Sequence, residues 1–453
     1  MVTFSRQSLT PGDVDRNWST FWSRDGLNGS VVTLYSPVTG VVKTNEPPVG
    51  IENRINYEWY YRAAFSIPRN TLPGKYEVRL NDARVGDVNV TQRVKRADPV
   101  NGRPINTDSF EAVVANWKRV TLDPGNYTLN RTVAIPSGAD IDGYGARIVI
   151  RHDEEPWNGT QYHHRAFVLQ GNGPFRFEGI TFDLSGYFTW LDAGGANCVF
   201  KNCTFINGGL GKLDESDLLV QGCKFLKSSA GRVTGGTWFD CDFIGTGQDY
   251  CYLAQLGNRL CILDCRWDNT ERGLGLASSW GPFRDCYFGR LSFNSIAGFT
   301  ENSAEITGCE GTGPTLDRCL FLGLRTRGCE GPIMFWQGDV TNCLLKDFSL
   351  DRTSIYFMAT NNSNQSDNVL EDMELRGGQV WWGKTALRNK AIRVACINPQ
   401  PSRSNQWNAA AWKYKPVAAF AADRPDGYDV NEPNANQVID CTGTTSKVKG
   451  AAQ

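Results

Sequence analysis

The sequence predicts an all-β chain: a small β-sandwich followed by a solenoid of short stacked strands. Three observations carry this expectation. The 453 residues hold 47 glycines, 23 phenylalanines, 15 tyrosines and 14 tryptophans but only four methionines, a composition suited to turn-rich sheets. Strand-like runs broken by Gly, Pro and Asn follow one another about every ten residues up to residue 97. Beyond residue 175 a short motif centred on cysteine recurs with a period of roughly 20 residues, the signature of a repeat in which each unit is one coil.

Residues 1–97 contain the runs "VVTLY" at 31–35, "YEWYYRAAFSIP" at 57–68, "GKYEVRLN" at 74–81 and "GDVNVTQRV" at 86–94. Strands of this length with turns between them fit a sandwich. The stretch "FSIPRNTLPGKYEVRLNDARVGDVNV" resembles the end of an immunoglobulin-like module of the TIG type. A polar linker, "RADPVNGRP" at 96–104, closes this unit. The best helix of the chain follows, "TDSFEAVVANW" at 107–117, with Thr107 or Asp108 as N-cap and Phe110, Val113 and Val114 on one face.

Next comes "RVTLDPGNYTLNRTVAIPSGADIDGYGARIVIR", short apolar strands split by Pro-Gly, Pro-Ser-Gly and Gly-Tyr-Gly turns. Its "LDPGNYTL" and "GYGARI" segments, placed after a helix, resemble the opening of the right-handed parallel β-helix of the pectate-lyase superfamily, tailspike-like proteins included. That resemblance implies a single-stranded right-handed parallel β-helix over residues 98–383 with the helix as its N-terminal cap. Residues 384–453 lack an evident repeat and are expected to cap the last coil, whose edge would otherwise recruit another chain, or to join subunits.

The coils align on "FEGITF", "FKNCTF", "VQGCKF", "WFDCDF", "ILDCRW", "FRDCYF", "LDRCLF", "VTNCLL" and "LEDMEL". The aligned column is Ile180, Cys203, Cys223, Cys241, Cys265, Cys286, Cys319, Cys343 and Met373, with spacings of 20, 18, 24 and 21 residues between Cys203 and Cys286. The preceding residue is Gly, Asn or Asp in every coil but the one with Arg318. These types tolerate φ > 0, so the column reads as a left-handed corner, and Asp240, Asp264 and Asp285 belong to turns and not to catalysis. The cysteines share their column with Ile180 and Met373 and are therefore expected to point inward. Zinc needs thiolates converging tetrahedrally, which an in-line ladder does not provide. Cys198 and Cys261 are expected to begin the strand before the corner.

Forty-seven basic against 48 acidic residues leave a net charge of -1, which gives no general field for nucleic acid or an anionic membrane. No apolar run is long enough to span a bilayer. The start, "MVTFSRQSLTPGD", has no secretory signal pattern, and 14 cysteines used as small apolar residues fit folding in a reducing cytoplasm.

The longer segments between corners are expected to hold the broad sheet and its flanking loop, with strands at 165–170, 187–192, 250–255, 273–278, 332–337, 354–359 and 379–383. Alternation aligns Trp190, Tyr252, Trp336, Tyr356 and Trp381 or Trp382, here Trp382, as an outward aromatic row for the flat faces of sugar rings; the other reading is that loops or a subunit cover them. Asp249, Glu271, Arg272 and Arg327 are read on strand-flanking loops near this face and could act as acid, base and anion stabiliser, or be solvated charges. His163 and His164 form at most a half-site for a metal. No metal or cofactor is expected. The polygalacturonase signatures and the pectate-lyase calcium and arginine motifs of the resembled family are missing, so its fold transfers and its activity does not. Two functions stand: a virion-associated protein of tailspike or capsid-decoration type, trimeric, assembled in host cytoplasm with its sandwich as attachment module and a glycan-binding face; or a secreted lyase or glycoside hydrolase acting on an acidic polysaccharide.

Overall fold

The chain divides into two units, Met1–Ala97 and Asp98–Gln453. The computed structural model describes residues 119–151, 164–171, 175–184, 189–194, 198–207, 218–227, 236–245, 260–268, 286–294, 316–329, 338–358, 363–399, 418–423 and 429–450, together with the helix and the other strands named below.

In the first unit a five-stranded sheet has the order Ser8–Leu9, Ala83–Val90, Gly74–Leu80, Val32–Ser36, Gly40–Lys43. Its pairings are antiparallel except at the edge strand Ser8–Leu9. Leu34, Tyr76, Val78 and Val88 alternate onto its buried face. Asn81 and Asp82, at φ 48° and 67°, make the two-residue hairpin turn whose twist matches the flanking strands. A second, antiparallel sheet holds Ser19–Ser23, Glu58–Phe65 and Ile51–Ile55.

The second unit is a right-handed parallel β-helix. Helix Thr107–Asn116 starts it, with Phe110 and Val114 buried and the Phe110 ring 6.0 Å from Phe167 in the first coils. A sheet of 23 parallel strands then runs from Gly125–Leu129 to Gln437–Ile439. Its strands come in pairs around one corner. Cys198–Lys201 stacks on Leu219–Gln221 of the next coil, and Thr204–Ile206 on Lys224–Leu226. Such a sheet needs a backbone that reverses hand between two strands of three or four residues. Gly179, Asn202, Gly222, Asp240, Asp264 and Asp372 lie at φ between 52° and 71°, and Arg318 and Asn342, each at 55° where a flanking strand enters the long sheet, are left-handed too. The left-handed corner is therefore as expected at each of these positions, Arg318 included.

The alignment on cysteine is out by one corner at Cys286, Cys319 and Cys343, and Met373 is back in the column of Cys265, reached through Leu291, Leu324 and Phe348. Ser292 pairs with Arg266, so Arg290 and Leu291 take the places of Asp264 and Cys265. Cys286 instead occupies the place of Leu260, and Cys319 and Cys343 stack above it. The cause is that the described coils from Arg318 onward turn two such corners separated by a short strand, and at both a left-handed residue is followed by a buried one. Arg318, Asn342, Asp367 and Arg388, at φ 55° to 62°, form that second corner.

Inside the coils, ladders fill the core at the strand spacing. Phe182, Phe205, Phe225, Phe243, Trp267 and Phe293 form one continuous stack with ring centroids 4.7 to 5.2 Å apart. The twelve described cysteines are free and buried. Cys203, Cys223 and Cys241 donate their thiols to carbonyls of the preceding coil at 3.5 to 3.6 Å. Burial pushes Cys223, Cys265 and Cys343 well above the ordinary thiol range and Cys198 to about 12, so these are protonated packing groups rather than thiolate ligands. Among the described residues no cluster of three His, Cys, Asp or Glu is placed to hold a metal.

Two expectations about architecture are corrected. Residues 384–453 are not merely a cap: Lys390–Ile397 and Gln437–Ile439 extend the long sheet in parallel, and Phe420–Ala422 and Thr445–Ser446 extend a flanking one. Their inner corner is lined by Asn368, Asn389 and Asn436, all buried. Asn368 Nδ2 donates to Asn389 Oδ1 at 2.9 Å and Asn389 Nδ2 to Asn436 Oδ1 at 3.0 Å. The longer segments, too, do not make one broad sheet. They form separate sheets: five strands from Val133–Pro136 to Val233–Thr234, and eight from Cys251–Tyr252 to Thr445–Ser446.

Candidate functional site

The expected aromatic row is not an exposed face where it is described. In the eight-stranded sheet the register runs Tyr252, Gly275, Glu305, Met334, Tyr356, Trp381. Tyr356 is 1% exposed and Trp381 4%, packed edge to face at 6.0 Å with Ala418 and Ala421 beside them. Gln379 Nε2 donates to the Tyr356 hydroxyl at 3.1 Å, satisfying that buried polar atom. Trp382, one residue on, is wholly buried in the main core. Neither Tyr356 nor Trp382 can meet a glycan, because alternation gives a residue's side of the sheet but not whether that side is covered. Trp190, Tyr252 and Trp336 lie in strands Thr189–Gly194, Cys251–Tyr252 and Ile333–Trp336, but their side chains, like residues Asp249, Glu271, Arg272 and His163, lie outside the described residues.

Arg327 is not on a loop. It ends strand Arg325–Arg327 of the long sheet, exposed, on a different sheet from Tyr252, Trp336, Tyr356 and Trp382. With the strand of Trp190 in the five-stranded sheet, the predicted residues that are described are divided among three sheets.

The structure brings other groups to Arg327. On the outer side of the long sheet the register column through it reads Asp268, Asn294, Arg327, and the column beside it Asp242, Arg266, Ser292, Arg325, Ser349, with Asp351 two residues past Ser349 on the strand that pairs with that of Arg327. Each of these flanks an inward residue of the core stack, such as Trp267 or Phe293. Arg266 Nε lies 2.7 Å from Asp268 and its NH2 3.3 Å from Asp242. Asn294 Nδ2 donates to Asp268 at 2.7 Å, and Asp351 accepts from the Gly328 amide at 3.1 Å. The Arg327 guanidinium has no ion pair or side-chain hydrogen bond among the described residues. A row of fixed acceptors thus surrounds one uncommitted, permanently charged donor fork. Sequence reasoning missed Asp268, Asn294 and Asp351 although their signal was present: each follows the buried aromatic or aliphatic residue of the motif.

The corner aspartates have structural partners. Arg290 holds Asp264 through two bonds of 2.6 and 2.7 Å, and Arg388 holds Asp367 at 2.8 and 2.7 Å. Nearer the start, Glu178 is 6% exposed and accepts from the Tyr144 hydroxyl at 2.7 Å and from Arg176 at 2.5 Å, with Lys201 at 3.8 Å. Burial by itself would raise its carboxyl, but those two hydrogen bonds and the charges of Arg176 and Lys201 hold it at about 2. A depressed folded value means stability that is present above the ordinary 4.5 and is lost as pH falls from there through about 2. Glu178→Gln is expected to remove an acid-dependent component on the order of 3 kcal/mol, read as a flatter dependence of denaturant midpoint on pH in that window. Equal slopes for the two proteins would contradict it.

No family model and no curated protein matches this chain. Solved structures do resemble it. Bacteriophage CBA120 tailspike protein 3 is 11% identical with a TM-score of 0.34, over 74% of this chain and 58% of that one. The chain thus spans less than two thirds of that tailspike. The catalytic domain of a GH87 α-1,3-glucanase in complex with tetrasaccharides is 11% identical, TM-score 0.32, over 92% and 91%. The Streptococcus pneumoniae surface protein and adhesin PfbA is 8% identical, TM-score 0.28, over 79% and 96%.

Proposed function

We propose that this chain is a glycan-recognising β-helix protein that lays an acidic polysaccharide along the outer face of its long sheet. The observation that carries the reading is Arg327, exposed and uncommitted in a row with Asp268, Asn294 and Asp351. Parallel coils repeat about every 4.8 Å, so hydrogen-bonding groups recur along this face at a pitch close to the length of one sugar unit. A guanidinium there matches a carboxylate in two parallel bonds, while the acids and the amide accept from or donate to ring hydroxyls. In this reading the protein is a trimer on a virion surface, with the first unit for attachment.

Isothermal titration with polygalacturonate fragments tests it. Arg327→Ala is expected to weaken binding roughly tenfold or more, the loss of a hydrogen-bonded charge. Failure of the wild-type chain to bind any acidic polysaccharide, or equal binding by the variant, overturns the reading. A second reading is cleavage of the same polymer, on a face where Arg266 already holds two carboxylates, Asp242 and Asp268, as structural partners rather than as catalysts. There Asp249 and Glu271 remain the proposed acid and base, with Arg272 steadying the developing anion. Release of unsaturated or reducing sugar by a chain that light scattering shows to be a stable monomer would favour this second reading over the virion trimer.

A further inference from the structure

Beyond Arg327 the outer side of the long sheet continues through further coils. Strand Arg325–Arg327 pairs with Ser349–Asp351, that strand with Val369–Arg376, and Val369–Arg376 with Lys390–Ile397. Register sets Arg376 beside Asp351 on one side and Ile397 on the other, so Asp351 lies on the coil between the two arginines. The inward neighbours Thr326, Leu350, Leu375 and Cys396 are all buried, so the core holds the backbone beneath this row. Its outer positions run Arg327, Asp351, Arg376, Ile397: cation, anion, cation, apolar.

We propose that this row selects a polysaccharide with a carboxylate on every second sugar, an inference that rests on the glycan reading and names the class of polymer it takes. Arg327 and Arg376 stand two coil rises apart, roughly 10 Å, so a chain that advances one sugar per coil brings every second unit to an arginine. Arg327 is exposed. The Arg376 side chain is 69% exposed and gives its Nε to Glu374 on the same strand. An exposed pair of this kind is weak, and the terminal nitrogens of Arg376 keep their donors for a sugar carboxylate. The unit between the two arginines meets Asp351, half-buried, whose Oδ2 accepts the Gly328 N–H at 3.1 Å. That bond ties the charge into the row. A carboxylate there can accept from a sugar hydroxyl and repels a second carboxylate.

The outer column beside it keeps the same alternation, reading Ser292, Arg325, Ser349, Glu374, Ala395. Arg325 donates to both Asp347 carboxylate oxygens at 3.1 Å, and Glu374 accepts from Arg376. Arg352, at the corner after Asp351, is engaged within the protein as well. In these two columns the coils of Asn294, Asp351 and Ile397 therefore carry no cation, while those of Arg327 and Arg376 do. Exposed Ser349 offers a hydroxyl to the middle sugar, and Ile397, 41% exposed, gives an apolar patch for the C–H face of the unit after Arg376. A polymer charged on every sugar sets a carboxylate against Asp351, and an alternating one sets a neutral sugar there.

Two probes of equal length, titrated into the full chain at one ionic strength, test this: an oligosaccharide alternating glucuronate with N-acetylglucosamine, and oligogalacturonate, charged on every sugar. The alternating probe is expected to bind about tenfold more tightly, the cost to the other of one like-charge contact. Asp351→Asn keeps an acceptor for the Gly328 amide and removes the charge. It is expected to tighten oligogalacturonate several-fold and leave the alternating probe unchanged, the opposite direction from damage to the fold. Arg376→Ala and Arg327→Ala each weaken the alternating probe roughly tenfold. If Asp351→Asn changes both affinities by the same factor, or Arg376→Ala changes neither, the row does not select the repeat, while a loss of oligogalacturonate on Arg327→Ala still upholds the glycan reading. If neither probe binds the wild-type chain, the glycan reading falls and this inference falls with it.

Discussion

Asn389→Ala is expected to destabilise the last coils by about 4 kcal/mol, because it orphans two buried backbone groups at once. Asn389 Oδ1 accepts the Asn368 amide at 3.0 Å, and its Nδ2 donates to the Gln365 carbonyl at 2.9 Å as well as to Asn436. Asn368 Nδ2 and Asn436 Oδ1 keep other partners, Val340 O at 2.8 Å and the Asn389 amide at 3.0 Å. The Asn368 N–H and the Gln365 C=O do not, and each unsatisfied buried group costs about 1–3 kcal/mol. Asn389→Leu fills the space yet leaves the same two groups without partners, so it is expected to be nearly as harmful. A solenoid is stabilised chiefly by nearest-neighbour contacts, so the loss stays local. Hydrogen exchange is expected to rise in Lys390–Ile397 while Thr204–Ile206 and Lys224–Leu226 keep their protection. A leucine variant close to wild type would show that packing, not hydrogen bonding, is what the ladder supplies.

That ladder also marks the limit of reading the chain from its residues. "DNVLEDM", "RNKAIRV" and "NQVIDC" repeat the pattern of a coil, but the third follows the second by 47 residues, and the insertion hid the period that Cys203, Cys223, Cys241 and Cys265 show. The corner residues were legible because φ > 0 restricts residue type strongly: Asn202, Asp240 and Asp264 could be assigned to turns without any contact being known. The same restriction caused the slip at Cys286, since two corners in one coil require the same residues and sequence cannot say which is which. Arg327 was legible as a residue but not as a place, because a loop and a three-residue strand look alike at this length. Tyr356 was assigned to the outer side of its sheet, and what covers it comes from residues distant in sequence.

Trp267→Ala is expected to lower stability by about 4–5 kcal/mol, the cost of a large core cavity together with two lost ring contacts. The indole is fully buried and lies nearly parallel to Phe243 at 4.8 Å and 6°, and to Phe293 at 4.9 Å and 15°. Neighbouring coils cannot close such a gap, because their spacing is set by the backbone ladder on either side, Phe243 pairing with Trp267 and Trp267 with Phe293. Trp267→Phe keeps both stacks and is expected to lose less than half as much, which thermal or denaturant unfolding of the two variants measures. The stack ends at Phe293; in the coil after it Thr326 takes the column and accepts the Asp351 amide at 2.9 Å. Arg266 and Asp268 stand on the outer side of this same three-residue strand. A loosened Trp267 site therefore also displaces the Arg266 pair with Asp242 and Asp268, and polysaccharide affinity is expected to fall with Trp267→Ala and to hold with Trp267→Phe. Unchanged affinity in a demonstrably destabilised Trp267→Ala protein would separate this row from the binding face and confine recognition to the coils around Arg327.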